Sequence, residues 1–247
     1  MLRGIRSSPG LTPRYGVRHA IADVAVVGLF FGFHELVRGI AGARHAVAIA
    51  HGVAVMDVER RLGMLGELRF QRWALAHPTV LTLLDFTYIT PHLVAPVAVA
   101  VWVIARHPDR FHEIRTVFIL ILAVAIPVYL IYPLAPPRLF PGLGFHDTLV
   151  AYSGVNYDQP AIALLYNPYA AMPSLHASFA LFVSLSLVRV SGRRITWLGH
   201  LYGAAMGAAT VATGNHFVLD VVAGMLLALG ADRIVPRGAG ARPVASI

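Results

Sequence analysis

His216 and Asp220 stand four residues apart at the head of an apolar stretch that runs from Phe217 to Gly230. On a helix that spacing makes them neighbours. A carboxylate in such a run is costly unless it is paired or faces a polar cavity, so Asp220 is a functional candidate and the imidazole is its natural partner. Holding one ring N–H, Asp220 would fix the tautomer of His216, aim the other nitrogen outward and stabilise positive charge as it develops. His216 then reads as a nucleophile towards phosphorus. His176, in Met172-Pro173-Ser174-Leu175-His176, reads as the general acid for a leaving oxygen and later the base on the acceptor. Arg138, closing Ala135-Pro136-Pro137-Arg138, supplies a planar, permanently charged fork for phosphate oxygens, and Ser174 a short hydroxyl donor. Pro173 suits the first turn of a helix. Helices opening near Ser174 and Phe217 would present unpaired N–H groups and a positive dipole end to an anion. The set could hold a phosphate or a similar tetrahedral oxyanion.

A His–Asp pair at this spacing is also a common structural device, and a lone Ser-Leu-His carries little weight. What favours chemistry is that three separate segments reach one face. Zinc or iron on His176, His216 and Asp220 is the metal alternative. The spacing fits no short ligand motif and an arginine would repel a cation, so neither metal nor cofactor is expected.

The elements that must position these residues follow from composition. Of 247 residues 57% are hydrophobic and only 13% charged, about half the charged share of an ordinary soluble domain. Much of the surface therefore has no need of water. Five segments, near 80–105, 114–133, 172–190, 195–213 and 217–235, are long and apolar enough to cross a bilayer. A weaker sixth, 20–38, contains Asp23, His34 and Glu35. The expected fold is all-α, an integral membrane six-helix bundle. The 38–79 stretch interleaves Val53, Val55, Met56, Leu62, Leu65 and Leu68 with Asp57, Glu59, Arg60, Arg61, Glu67 and Arg69, and reads as an interfacial amphipathic segment between the first and second spans. Residues 1–18 form a basic arm, 19–235 one membrane domain and 236–247 a disordered tail. An alternative reading of the N-terminal region is a cleaved secretory signal, against which Glu35 and Arg38 precede the supposed cleavage site.

The chain has no lysine and no cysteine, so all twenty basic residues are arginine. They flank apolar runs instead of forming a stripe, which argues against nucleic acid as a partner. Thirteen of them fall on the side that holds both termini, which the positive-inside rule makes cytoplasmic. The segments of Arg138, Ser174 and His216 then share the extracytoplasmic face, and a lysine-free, alanine-rich chain suggests a bacterial plasma membrane. Asp85, His92, His34 and Glu35 either pair across helices, the reading favoured here, or line a substrate cavity. The 139–171 connection, with His146, Asp147, Tyr152, Asn156, Tyr157, Asp158, Tyr166, Asn167 and Tyr169, is long for an idle loop and could cover the site.

In these residues the sequence resembles the type 2 phosphatidic acid phosphatase superfamily of membrane lipid phosphatases, whose fold is a six-helix bundle. Ala-Pro-Pro-Arg138, Pro173-Ser174-Leu175-His176 and His216 with Asp220 are similar to its three motif elements in order and spacing. Where the superfamily usually has lysine seven residues before the arginine, this chain has Ile131; where it usually has arginine six residues before the last histidine, it has Thr210; Leu175 replaces a glycine. In this the chain resembles the inositol phosphorylceramide synthase-like branch and sphingomyelin synthases, which transfer a phosphorylated headgroup between lipids. The resemblance implies a lipid phosphate substrate in the bilayer, with His176, His216 and Asp220 catalytic, Arg138 and Ser174 on the phosphate, and either water or an alcohol as acceptor. A phosphodiester carries less charge than a monoester, which suits a site lacking two cations. The superfamily's vanadium-dependent haloperoxidases are soluble, unlike these apolar spans. A transporter or scaffold using the same polar residues for ion passage or packing is the reading from another class.

Overall fold

The computed structural model describes residues 17–40, 44–153, 167–191 and 195–237, except for the side chains of 17–20, 38–40 and 153. The basic arm, most of the tail, and Asn156, Tyr157, Asp158 and Tyr166 of the long connection lie outside the described residues. Within them every regular element is helical: α1 (Val17–Ile40), α2 (His45–Arg61), α3 (Glu67–Leu75), α4 (Pro78–Arg106), α5 (Phe111–Ile131), α6 (Thr148–Ser153), α7 (Leu175–Ser191), α8 (Thr196–Ala212) and α9 (Val218–Ile234). Short 3-10 turns at Pro108–Arg110, Pro137–Leu139 and Pro141–Leu143 join them. Proline opens each of these turns and also α4, where its missing N–H costs nothing.

Two described stretches, Pro78–Arg106 and Pro108–Ile131, are long and apolar enough to cross a membrane, which suggests a membrane protein. The apolar α7 has 17 residues, as do α8 and α9. At about 1.5 Å per residue each is roughly 26 Å long, a little under the hydrocarbon thickness of about 30 Å. The turns that carry the polar side chains lie before α7, after α8 and before α9.

Helix α7 is central and packs on α4, α8 and α9, while α1 lies along α5. Phe111, Ile114, Ile121, Leu122, Phe179, Phe182 and Ala228 form the main core. A smaller cluster of Val55, Met56, Leu134, Phe145, Ala171 and Phe217 closes one end under α2. At the opposite end Arg189, whose side chain is 1% exposed, joins three helices: it donates to Asp232 of α9 (2.5 Å), to Glu113 of α5 (3.1 Å) and to the Val235 carbonyl (2.9 Å). The start of α5 and the ends of α7 and α9 are thus tied together. Antiparallel succession then brings Tyr132, Ser174 and Phe217 to the other end, where the candidate chemistry gathers.

Candidate active site

At that end lies a cavity of about 390 Å³ lined by Arg138, His176 and His216, together with Tyr88, His92 and Glu35. The His176 and His216 ring centroids are 5.7 Å apart. His176, in the first turn of α7, is stacked on Tyr88 (3.9 Å between centroids, planes 16° apart) and on His92 (3.8 Å, 26°), both from α4. Two near-parallel rings at that spacing must take opposite faces of the imidazole, since on one face they would overlap. The ring is held like a page between them, leaving its edge for the cavity.

His216 Nδ1 stands 3.6 Å from Asp220 Oδ2, an ion-pair distance somewhat longer than a hydrogen bond. The two groups stand side by side, but the expected hydrogen bond is not made: His216 Nδ1 is buried without a hydrogen-bond partner, as is Asp220 Oδ1. Asp220 also has a second task. From the third position of α9 its Oδ2 accepts the Phe217 N–H (2.9 Å), the acidic half of a capping box. Its carbonyl accepts the Ser174 N–H at 3.0 Å, which fastens the head of α7 to the first turn of α9. Gly224 lets the helices come this close: a Cβ there would lie 2.2 Å from the Ser174 carbonyl oxygen.

Ser174 is fully buried and its Oγ accepts the Ala177 N–H (3.3 Å), capping α7. It is not among the residues that line the cavity. Pro173 is not in the first helical turn, because α7 begins at Leu175; the Met172–Pro173 bond is cis and the Pro173 carbonyl accepts the Tyr129 hydroxyl (2.8 Å). The expectation of an open helix end at Phe217 also needs correction. Val218 N–H donates to Glu67 Oε1 (3.1 Å) and Leu219 N–H to Glu59 Oε1 (2.7 Å). Carboxylates of this chain already occupy the N–H groups that an anion would use.

Arg138 is 8% exposed, and two of its nitrogens are engaged: Nε donates to Asn215 Oδ1 and Nη1 to Asp147 Oδ2, each at 2.9 Å. Its backbone N–H reaches the Gly214 carbonyl (2.8 Å). Gly214 has φ of +71° and no room for a Cβ, which would meet Gln71 Nε2 at 2.7 Å. Ile131, where a cation was looked for, is exposed at the end of α5, and Thr210 is fully buried, its carbonyl accepting the N–H groups of Asn215 and His216 (3.2 Å each).

Of the four polar residues with undecided roles, His92 and Glu35 line the cavity. Asp85 is buried and accepts from the Thr148 hydroxyl (2.7 Å), and His34 is buried edge-on to Tyr129. Sequence reasoning missed Tyr88, although its spacing from His92 places both on one face of α4. Glu59 and Glu67 belong to the polar residues of the segment expected to be amphipathic and interfacial, yet both are fully buried. Burial first, then Glu67 beside it, pushes the Glu59 carboxyl up to about 9.

Two histidines and an arginine on one cavity of an all-helical bundle define the class in outline: a protein with the side chains to handle a tetrahedral oxyanion. The family comparison is more specific. A family model described as the PAP2 superfamily matches residues 53–233, and the chain belongs to that superfamily. No curated protein and no solved structure gives a match. The matched span contains Arg138, Ser174, His176, His216 and Asp220, and membership suggests phosphatase or phosphoryl-transfer activity on phosphate esters.

Proposed function

We propose that the protein is a membrane enzyme that cleaves or transfers the phosphate ester of a lipid through a phosphohistidine on His216, without a metal. The observation that carries this reading is the single cavity onto which Arg138, His176 and His216 open. In the proposed cycle Arg138 orients the phosphate and His216 Nε2 attacks phosphorus. The P–O bond to the leaving group breaks as His176 gives that oxygen its proton. Asp220 stabilises the positive charge that appears on the His216 ring. His176, now a base, takes a proton from water or an alcohol, which attacks phosphorus and releases His216. Ser174 acts by fixing the head of α7.

In this reading α1, α4, α5, α7, α8 and α9 are the six spans, α2 and α3 lie at the interface, and the cavity opens on the extracytoplasmic face. The arginine count supports that orientation. The offset of Arg138 by Asp147, with Ile131 and Thr210 in place of cations, favours a phosphodiester of the inositol phosphorylceramide synthase-like kind over a monoester.

Purified protein incubated with labelled phosphatidic acid, polyprenyl diphosphate and phosphatidylinositol tests the proposal. Free phosphate marks a phosphatase, and a new phospholipid formed only with added alcohol marks a transferase. Undiminished turnover in His216→Ala, with no phosphohistidine trapped in the parent protein, would end it.

A further inference from the structure

Glu59 and Glu67 come from different helices and meet beneath the first turn of α9. Neither reaches the cavity. Each spends Oε1 on an α9 backbone N–H, and each Oε2 is buried with no donor. The Glu67 carboxyl stands close enough to that of Glu59 to oppose its ionisation. Two carboxylates buried side by side repel one another; one carboxylic acid and one carboxylate do not. Among the described residues no arginine pairs with either group, and the chain has no lysine. The titratable groups that face the pair are Asp220 and His216 at the head of α9, with Tyr132 beyond Asp220 at the end of α5.

We infer that Glu59 and Glu67 are positioning residues for the phosphoryl-transfer step, a carboxyl pair that shares one proton and so holds the first turn of α9, and with it His216 and Asp220, in register with the cavity. This rests on the function proposed above. Both Oε1 atoms clamp consecutive N–H groups two and three residues after His216, so the turn can neither unwind nor rotate without losing them. The shared proton makes the clamp possible, because two buried charges beside Asp220 would repel one another. Its loss at high pH puts that repulsion into the floor of the site.

The sign of the pH effect follows from burial. The folded-state pKa of Glu59, about 9, lies above the ordinary glutamate value because the carboxyl is buried. The contribution to stability is complete below about 4.3, the unfolded value, and declines as pH rises, until it is gone above the folded value.

The variants Glu59→Gln, Glu67→Gln, Glu59→Ala and Glu67→Ala test this in full-length protein. Glutamine keeps the Oε1 acceptor and supplies the N–H that the proton otherwise provides, so each glutamine variant should retain turnover within about threefold. Each alanine variant should lose about 10²-fold in kcat with KM little changed, the penalty of a misaligned nucleophile. Wild-type melting temperature should fall as pH climbs towards 9, less steeply in Glu59→Gln. The infrared carbonyl band of a protonated carboxyl should be present in the wild type at pH 7 and absent from Glu59→Gln. Glutamine variants as impaired as alanine variants, or alanine variants with unchanged kcat, would overturn the inference. So would an infrared spectrum and a pH–melting curve that Glu59→Gln leaves unaltered. If the wild type turns over no phosphate ester, the function fails, and the infrared band and melting curves still decide the carboxyl pair.

Discussion

Replacing Gly224 by alanine tests whether the contact between α7 and α9 sets the geometry of the site. The new Cβ would stand 2.2 Å from the Ser174 carbonyl oxygen and 3.0 Å from Ser178 Oγ, where ordinary contact begins at 3.4 Å. The obstacle is backbone and cannot swing aside, so the helices must part by about 1 Å to restore normal contact. Parting them weakens the bond from Ser174 N–H to the Asp220 carbonyl (3.0 Å) and that from Ser178 Oγ to the Gly224 carbonyl (2.9 Å). Overpacking costs about 1–3 kcal/mol and each strained bond about 1 kcal/mol, against a helix-propensity gain of about 1 kcal/mol for alanine over glycine. The net loss is about 2–4 kcal/mol, or roughly 5–15 °C in melting temperature for a chain of this size. Turnover should drop about 10²-fold, since His216 and His176 ride on the two helices that separate. Gly230→Ala is the control, six residues along the same helix with nothing within 4 Å of its Cβ; it should hold or raise stability. Melting in detergent and phosphate release from the substrate found for the wild type provide the readouts. A Gly224→Ala protein that melts with Gly230→Ala and turns over like the wild type would refute the reasoning.

Three further outcomes are expected. Arg189→Ala should lower stability by about 3–5 kcal/mol, because it leaves Glu113 and Asp232 buried without that partner; denaturant melts measure this, and turnover well below the melting point should be preserved. Asp147→Asn should release Arg138 from its ion pair and lower KM for a phosphate monoester by about two- to fivefold, with a smaller change for a diester. Tyr88→Ala should free one face of His176 and cut kcat by up to about tenfold at similar KM, and Tyr88→Phe should restore it, as steady-state kinetics will show.

The helical class was legible because apolar runs of tens of residues admit no other economical backbone. The three chemistry-bearing segments could be placed at one end because helices joined in antiparallel succession alternate their ends. What could not be read was which polar group answers which. The apolar context of Asp220 announces a carboxylate in need of a partner, but nothing local says that its backbone carbonyl binds the Ser174 N–H. Glu59 and Glu67 sit among arginines in a segment of mixed polarity, the pattern of a solvated face, and their burial depends on α9 arriving more than 150 residues later. Asp147 and Asn215 were visible only as loop polar residues, because their joint partner Arg138 is fixed by tertiary structure. Tyr88 was hidden for a different reason: an aromatic in an apolar helix carries no signal until the ring that it stacks on is placed.

Asp147, Asp220, Glu59 and Glu67 stand at the end of the bundle where an anion was expected to be drawn in, and their arrangement bears on how such a site can work. Asp147 offsets Arg138, and Glu59 with Glu67 consumes the N–H groups of α9, so the resting site offers little free positive charge. A site organised to capture phosphate would be arranged the other way. In the proposed function the arrangement suits instead an imidazole on which positive charge develops as it attacks, because Asp220 stands beside it. Binding energy for the ground-state anion is given up, while stabilisation of the charge that develops in the reaction is kept, which is the direction that raises kcat and not merely affinity. In the proposed function the apolar part of a lipid substrate would then supply much of the binding, without help from the phosphate.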